Sequence, residues 1–177
     1  SERSYPVLYL LHGATDNHTG LVQFGEVLHI TDKAIADGIA TPMIIIMPDA
    51  DTKVMGYFNL PDWKYEDFFF NELVPHAEEK FRIKATKRFR AVAGLSMGGG
   101  GSFMYALRHP EMFSSACPLS AYVGPLTLEQ AGSSLKRRSP DVTDEQVESY
   151  FNNYNALNLL AKADIKDVKG VKWYIDC

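Results

Sequence analysis

Five short apolar runs punctuate the chain, and turn residues bound each of them. Continuous apolar runs of this length are typical of strands that are buried on both faces of a sheet. The predicted strands are residues 7–11, 43–47, 89–93, 114–119 and 171–175.

Helical patterns occupy the segments between these runs. Helices are predicted over residues 31–37, 65–81 and 98–108. Thr31 is the expected N-cap of the first helix and Gly38 follows its end. In the second helix, Pro75 predicts a kink or the start of another helix. Strands that alternate with helices indicate parallel pairing with right-handed crossovers, so the expected fold class is α/β, a mostly parallel sheet with helices on both faces.

The stretch 124–167 departs from this alternation. Thr143 and Gln146 have the spacing of a capping box, which predicts a helix from Asp144 to about Asn152. We interpret residues 124–167 as a helical excursion between two strands, or as a lid. The chain has 177 residues and no recognisable linker or repeat, so we expect a single domain.

Composition and charge narrow the classes of function. The formal net charge is −4, which does not favour nucleic-acid binding. The longest apolar run, residues 43–47, is too short to span a bilayer. Cys117 and Cys177 form neither a disulfide scaffold nor a zinc-binding spacing. The basic residues within 84–90 and 136–138 are expected to belong to solvated faces.

The strongest chemical signal is a G-x-S-x-G motif centred on Ser96, where a predicted strand ends and a helix begins. This placement predicts a tight turn that lifts the Ser96 hydroxyl above the sheet as a nucleophile. The Met97 amide, at the start of the helix, is then a candidate oxyanion donor. In the alternative interpretation, Gly94 and residues 98–101 serve close packing beside the sheet and nothing more.

A second signal follows the first predicted strand, where His12, Gly13 and Ala14 are consecutive. Acyl-transfer hydrolases of this architecture take a second oxyanion donor from the loop after that strand. The Ala14 amide is our candidate for that donor. His12 is interpreted as a structural histidine that hydrogen-bonds the loop, and not as the catalytic base.

These motifs together resemble a known family. The segments that carry the resemblance are residues 5–13 (YPVLYLLHG), 65–69 (YEDFF), 72–75 (ELVP) and 93–99 (AGLSMGG). They are similar to the esterase D-like putative esterase family, which has the α/β-hydrolase fold and includes feruloyl and acetylxylan esterases of carbohydrate esterase family 1. The resemblance implies that Ser96 is the nucleophile and that the Ala14 and Met97 amides form the oxyanion hole.

The resemblance also implies residues that the chain does not contain. In this fold the order is serine, then acid, then histidine. After Ser96 the sequence holds one histidine, His109, which is expected more than 10 Å from the hydroxyl at the far end of a helix. Asp176 is a poor candidate for the acid because it lies inside the last predicted strand. We therefore expect the middle of a larger domain, without its first strands, acid and base, and with little turnover on its own.

Other candidate sites are weaker. Asp49 and Asp51 follow a strand, but the residues after them lack the pattern of a calcium loop, so a polar turn is preferred to a metal site. No zinc or nucleotide motif occurs, and no cofactor is expected. The candidate substrate contacts are Trp63, Tyr122 and Tyr57, for which ordinary packing is an equally good interpretation.

The predicted function is that of a serine carboxylic-ester hydrolase that works through an acyl-enzyme. The resemblance implies small-acyl, acetyl or feruloyl esters of carbohydrate. Acyl transfer, or thioester hydrolysis like that of S-formylglutathione hydrolases, is an alternative within the fold. A non-catalytic binding module on a hydrolase scaffold is the alternative from another class. The compartment stays open, extracellular or periplasmic for a polysaccharide esterase and cytoplasmic for a thioesterase, as does the oligomeric state.

Overall fold

A five-stranded parallel sheet with strand order β2-β1-β5-β6-β7 forms the centre of the protein. The computed structural model describes residues 3–50 and 56–177. The sheet strands are β1 Val7–Leu11, β2 Ile44–Ile46, β5 Arg90–Leu95, β6 Ser115–Leu119 and β7 Lys172–Trp173. A separate antiparallel pair consists of β3 Asn59–Leu60 and β4 Trp63–Lys64. The predicted α/β class and the five predicted strands are therefore confirmed, with shorter bounds for β2 and β7.

Helices connect the strands. They are α1 Gly20–Gln23, α2 Val27–Ala36, α3 Tyr65–Phe68, α4 Val74–Lys80, α5 Met97–Arg108, α6 Leu128–Lys136, α7 Asp144–Tyr154, α8 Ala156–Lys162 and α9 Ile165–Lys169. A π-helical segment, Phe69–Leu73, joins α3 to α4. No helix among the described residues is long and apolar enough to cross a bilayer.

Two predicted helix boundaries differ in instructive ways. α2 begins four residues before the expected N-cap, because Glu26 adopts a left-handed conformation (φ 49°) that starts the helix and leaves Thr31 in its interior. Gly38 does take the expected left-handed conformation, with φ 72°. In the predicted helix that contains Pro75, the π-helical segment ends at Leu73 and α4 begins at Val74, so Pro75 lies in the first turn of α4. Proline is tolerated there because the first amides of a helix have no intrahelical acceptor. The start of a second helix at Pro75 is one of the two predicted alternatives.

The core lies on one face of the sheet. Tyr9, Val92 and Ala116 are register neighbours on this face and are buried under the α3–α4 segment and α5. The opposite face, which includes Leu8 and Cys117, is half-buried in the described structure. The functional motifs therefore lie at the carboxyl edge of a sheet that is well packed on its core face.

The excursion between β6 and β7 carries α6 to α9. The capping box at the start of α7 is present in full, with Thr143 and Gln146 as its two side chains. α6 and α7 pack through Leu135 and Val147 onto a second apolar cluster that includes Met104 of α5. The excursion is thus attached to the helix that follows Ser96.

Candidate active site

Ser96 occupies a strained turn between β5 and α5. Its φ of 56° and ψ of −107° lie outside the regions that side-chain-bearing residues favour. Its amide donates to the Leu119 carbonyl oxygen (2.9 Å), and its own carbonyl oxygen accepts from the amides of Gly100 (2.9 Å) and Tyr122 (3.2 Å). The side chain is exposed. Three backbone hydrogen bonds therefore hold the bend and present the hydroxyl to solvent.

The glycines around the turn are required by close approach of the backbone. A Cβ on Gly98 would lie 2.1 Å from the Leu11 carbonyl oxygen, and one on Gly100 would lie 2.1 Å from the Tyr122 carbonyl oxygen. These glycines therefore do serve close packing, as the alternative interpretation requires. It is also compatible with the functional one, because this packing brings the start of α5 against the ends of β1 and β6.

The loop after β1 lies directly beside this turn. A Cβ on Gly13 would lie 3.9 Å from the Ser96 Cβ. The His12 ring is 1% exposed and uses both nitrogens: Nε2 accepts the Ala50 amide (3.0 Å) and Nδ1 lies 2.8 Å from the Gly13 carbonyl oxygen. These partners assign the ring proton to Nδ1. His12 therefore holds the loop in place and is not available to Ser96 as a base.

Ser96, Met97 and Ala14 line one groove of about 700 Å³. The Met97 amide is at the first position of α5, where helix amides have no intrahelical acceptor. Among residues 3–50 and 56–177, no protein group accepts a hydrogen bond from the Met97 or Ala14 amide. The three residues singled out by sequence are thus brought together, with the positive end of the helix dipole toward the groove.

The three aromatic candidates separate in space. Tyr122 lines the groove and is 48% exposed. Tyr57 is 2% exposed, since its hydroxyl donates to the His12 carbonyl oxygen (3.3 Å) and its ring packs on Tyr65, so it belongs to the core. Trp63 lines a different cavity of about 370 Å³ and donates to the Gly56 carbonyl oxygen (2.8 Å). Of the three candidates, Tyr122 shares the groove with Ser96, whereas Tyr57 and Trp63 do not line it.

His109 lies at the other end of α5, as predicted, about 18 Å along a twelve-residue helix. Within the described residues, no hydrogen bond joins the Ser96 hydroxyl to any histidine. Asp176 pairs through its backbone with β6, donating to Pro118 and accepting from Ser120. It therefore forms part of the sheet edge.

The carboxylate of Asp49 lies 3.4 Å from the His12 Nε2 and 3.3 Å from the His18 Nδ1. Its candidate partner Asp51 lies outside the described residues. Over the described part of the chain, no three potential ligand side chains form a group that could hold a metal ion.

Sequence reasoning missed a buried charged cluster at the far end of α5. Glu66 is 2% exposed and accepts hydrogen bonds from Arg108 (2.8 Å) and Tyr154 (2.5 Å), with His109 at 2.9 Å. Burial alone would raise the pKa of Glu66, but the His109 and Arg108 contacts hold it below its ordinary value. Arg108 also donates to the Asn153 carbonyl oxygen (2.8 Å), so the cluster fastens α7 to α5. Glu66 lies within a segment that carries the family resemblance, but no sequence pattern predicts its burial.

Known proteins with similar sequences and structures place this geometry in context. A family model described as "Putative esterase" matches residues 1–173. An endo-1,4-beta-xylanase/feruloyl esterase of Xylanibacter ruminicola is 39% identical over 115 residues, which is 63% of this chain and 16% of that protein. A solved ferulic acid esterase is 34% identical, with a TM-score of 0.81 over 99% of this chain and 66% of that one.

A further solved structure shares the fold. An S-formylglutathione hydrolase from Staphylococcus aureus is 22% identical and has a TM-score of 0.71, covering 99% of this chain and 65% of that one. The chain thus spans about two thirds of these solved proteins and less than a fifth of the xylanase/feruloyl esterase. Because the family model matches nearly the whole sequence, the chain belongs to this esterase family, and its fold is of the α/β-hydrolase type.

Proposed function

We propose that the protein is a serine carboxylic-ester hydrolase with Ser96 as its nucleophile. The observation that carries the proposal is the exposed Ser96 hydroxyl, held on a strained turn in the same groove as two candidate oxyanion amides. Strain is tolerated in folded proteins where the surroundings over-determine it, and such positions concentrate at active sites.

In the proposed reaction, the Ser96 hydroxyl oxygen attacks the acyl carbon of the ester and forms a tetrahedral oxyanion. The Met97 and Ala14 amides donate hydrogen bonds to that oxygen. Collapse of the intermediate expels the alcohol and leaves an acyl group on Ser96, which water then hydrolyses. The serine proton passes to a base and then to the departing alcohol.

The substrate class that we propose is an acetyl, feruloyl or other small-acyl ester of carbohydrate. The similarity to a xylanase/feruloyl esterase and to a ferulic acid esterase supports this proposal. Acyl transfer and thioester hydrolysis use the same nucleophile and oxyanion groups. The shared fold with an S-formylglutathione hydrolase is compatible with the thioester alternative. We place both second, because the ferulic acid esterase is the more similar in sequence and structure.

The base is the part of this mechanism that the described residues do not supply. We therefore propose that the 177-residue chain forms an acyl-enzyme with activated esters but turns it over slowly. A chain of this fold that only binds a ligand, without catalysis, would form no acyl-enzyme at all.

Acyl-enzyme trapping tests the proposal on the chain as it is. The protein is incubated with 4-nitrophenyl acetate, quenched in acid and measured by intact-mass and peptide mass spectrometry. We expect one acetyl group on Ser96, absent from the Ser96→Ala variant. If the folded protein carries no acetyl group, or carries it equally in the variant, the proposal fails and the binding-module alternative replaces it.

A further inference from the structure

Two arginines line the same groove as the candidate oxyanion amides. Arg137 and Arg138 follow the last turn of α6, and both contribute to the groove that contains Ser96 and Tyr122. Burial raises the pKa of the Tyr122 hydroxyl, and the charges of Arg138 and Arg137 partly offset that rise. The groove therefore has a positively charged wall within the same cavity as the nucleophile.

No acidic side chain of the described structure neutralises this charge within the groove. Among the described residues, neither Arg137 nor Arg138 forms an ion pair, and none of the described side chains that line the groove is acidic. The polar groups beside the arginines are the Gln130 amide and the Ser133 and Ser134 hydroxyls. Such a wall offers hydrogen-bond donors and positive charge to an occupant.

Lys136, the preceding residue, behaves differently. It lies on another side of α6, where it lines a separate cavity and pairs with Asp144 (3.7 Å). The basic run 136–138, which the sequence predicts to lie on one solvated face, therefore points in two directions. Arg137 and Arg138 line the groove, and Lys136 does not. The turn at the end of α6 produces this division.

We propose that Arg137 and Arg138 select ester substrates that carry a carboxylate or another anionic group beyond the ester bond. This inference rests on the proposed ester hydrolysis and adds the charge class of the substrate. A guanidinium binds a carboxylate through paired hydrogen bonds, which gives orientation as well as attraction. The anionic group belongs to either the acyl or the alcohol part of the ester.

The competing explanation is that these arginines only compensate the negative end of the α6 dipole. In that case they stabilise the helix but give no preference for charged ligands. Replacing either arginine would then lower the melting temperature and leave ligand selectivity unchanged.

Binding to a catalytically silent protein separates this inference from the proposed reaction. In a Ser96→Ala background, 4-acetamidobenzoate is compared with its neutral counterpart 4-acetamidobenzamide by isothermal titration. Both are amides that mimic an aryl acetate, and the benzoate carries its charge on the alcohol side. Adipic acid monoanilide and hexananilide form the matching pair with the charge on the acyl side.

We expect the anionic member of at least one pair to bind about three- to tenfold more tightly, which is the range for two partly solvated ion pairs. Raising the salt from 0.05 M to 0.5 M should remove most of that preference. Arg138→Glu and Arg137→Glu should abolish or invert it. The matched control Lys136→Glu makes the same change in net charge and should keep it.

Equal binding of anionic and neutral ligands in both pairs would overturn the inference. So would an equal loss in Lys136→Glu and Arg138→Glu, since that result indicates only the overall charge. Circular dichroism of each variant establishes that it is folded. Because no step depends on turnover, failed acylation of Ser96 would leave this outcome readable.

Discussion

Ser96 and His109 cap opposite ends of the same helix, α5. The serine forms the N-terminal boundary at the groove, and the histidine forms the C-terminal boundary beside Glu66. The one histidine that follows Ser96 in the given sequence is therefore held away from it by the length of α5.

External imidazole should act in place of the base that the described residues do not supply. We expect imidazole to raise the Ser96-dependent hydrolysis of 4-nitrophenyl acetate by about tenfold, since a positioned general base contributes at least that much. The rate is measured as release of nitrophenolate, after subtraction of the Ser96→Ala rate at each imidazole concentration. If the two proteins respond identically to imidazole, the groove does not use Ser96 as a nucleophile.

Removing the Ser96 hydroxyl should eliminate acylation without harming the fold. Ser96→Ala keeps the Cβ and the backbone hydrogen bonds that hold the turn, so the melting temperature should stay within a few degrees of wild type. The matched control is Ser120→Ala, another exposed serine with a positive φ (43°) at the sheet's carboxyl edge. Acetylation should be retained in the control. Loss of acetylation in both variants would point to damage of the edge instead of loss of a nucleophile.

Glycine-to-alanine substitutions in α5 and in α6 should have opposite effects on the free energy of unfolding. Gly100→Ala places a methyl group 2.1 Å from the Tyr122 carbonyl oxygen, and we expect it to lower the free energy of unfolding by about 1–3 kcal/mol. Gly132→Ala in α6 meets Val147 at an ordinary 3.5 Å and should raise that free energy by about 0.5–1 kcal/mol. Urea denaturation measures both values. A neutral Gly100→Ala would show that the start of α5 is not confined by the loop that follows β6.

The Glu66 cluster predicts an acid-dependent contribution to stability. Because folding lowers the pKa of Glu66, its ionised form stabilises the protein fully above the unfolded value of roughly 4.3, and the contribution is lost as the pH falls through the folded pKa. Glu66→Gln should lower the free energy of unfolding at pH 7 by on the order of 3 kcal/mol, because Arg108 loses a buried partner.

The difference between wild type and Glu66→Gln should shrink as the pH is lowered from 6 to 3. Urea denaturation at several pH values measures it. Asp67→Asn is the control, since this neighbouring carboxylate is exposed and accepts from the Asn59 side chain. A pH-independent difference for Glu66→Gln would mean that the cluster stabilises through packing and not through charge.

The sheet could be predicted from sequence because its strands are continuous apolar runs, although one face is fully buried and the other half-buried in the described structure. Runs 7–11 and 114–119 needed almost no correction, and the G-x-S-x-G motif located the turn between β5 and α5. The β3–β4 pair was missed because two-residue strands carry no periodicity. Apolar periodicity shows that a residue faces a core, but it does not reveal which strand or helix it meets.

The candidate site was only partly predictable for the same reason. Ser96, Met97 and Ala14 follow from local motifs, since each lies next to a strand end. Tyr57 and Tyr122 are indistinguishable by residue type, and their separation into core and groove depends on long-range contacts. The division of Lys136 from Arg138 likewise depends on where the end of α6 lies relative to the sheet.

The attachment of the excursion between β6 and β7 has an evolutionary consequence. The excursion is held to α5 by the hydrogen bond from Arg108 to the Asn153 carbonyl oxygen and by the apolar cluster that includes Met104, while the groove wall that it contributes includes residues of α6. Insertions or substitutions in this stretch should therefore alter the ligands that the groove binds while the turn at Ser96 keeps its shape. We therefore expect sequence variation among proteins of this fold to be concentrated in the excursion.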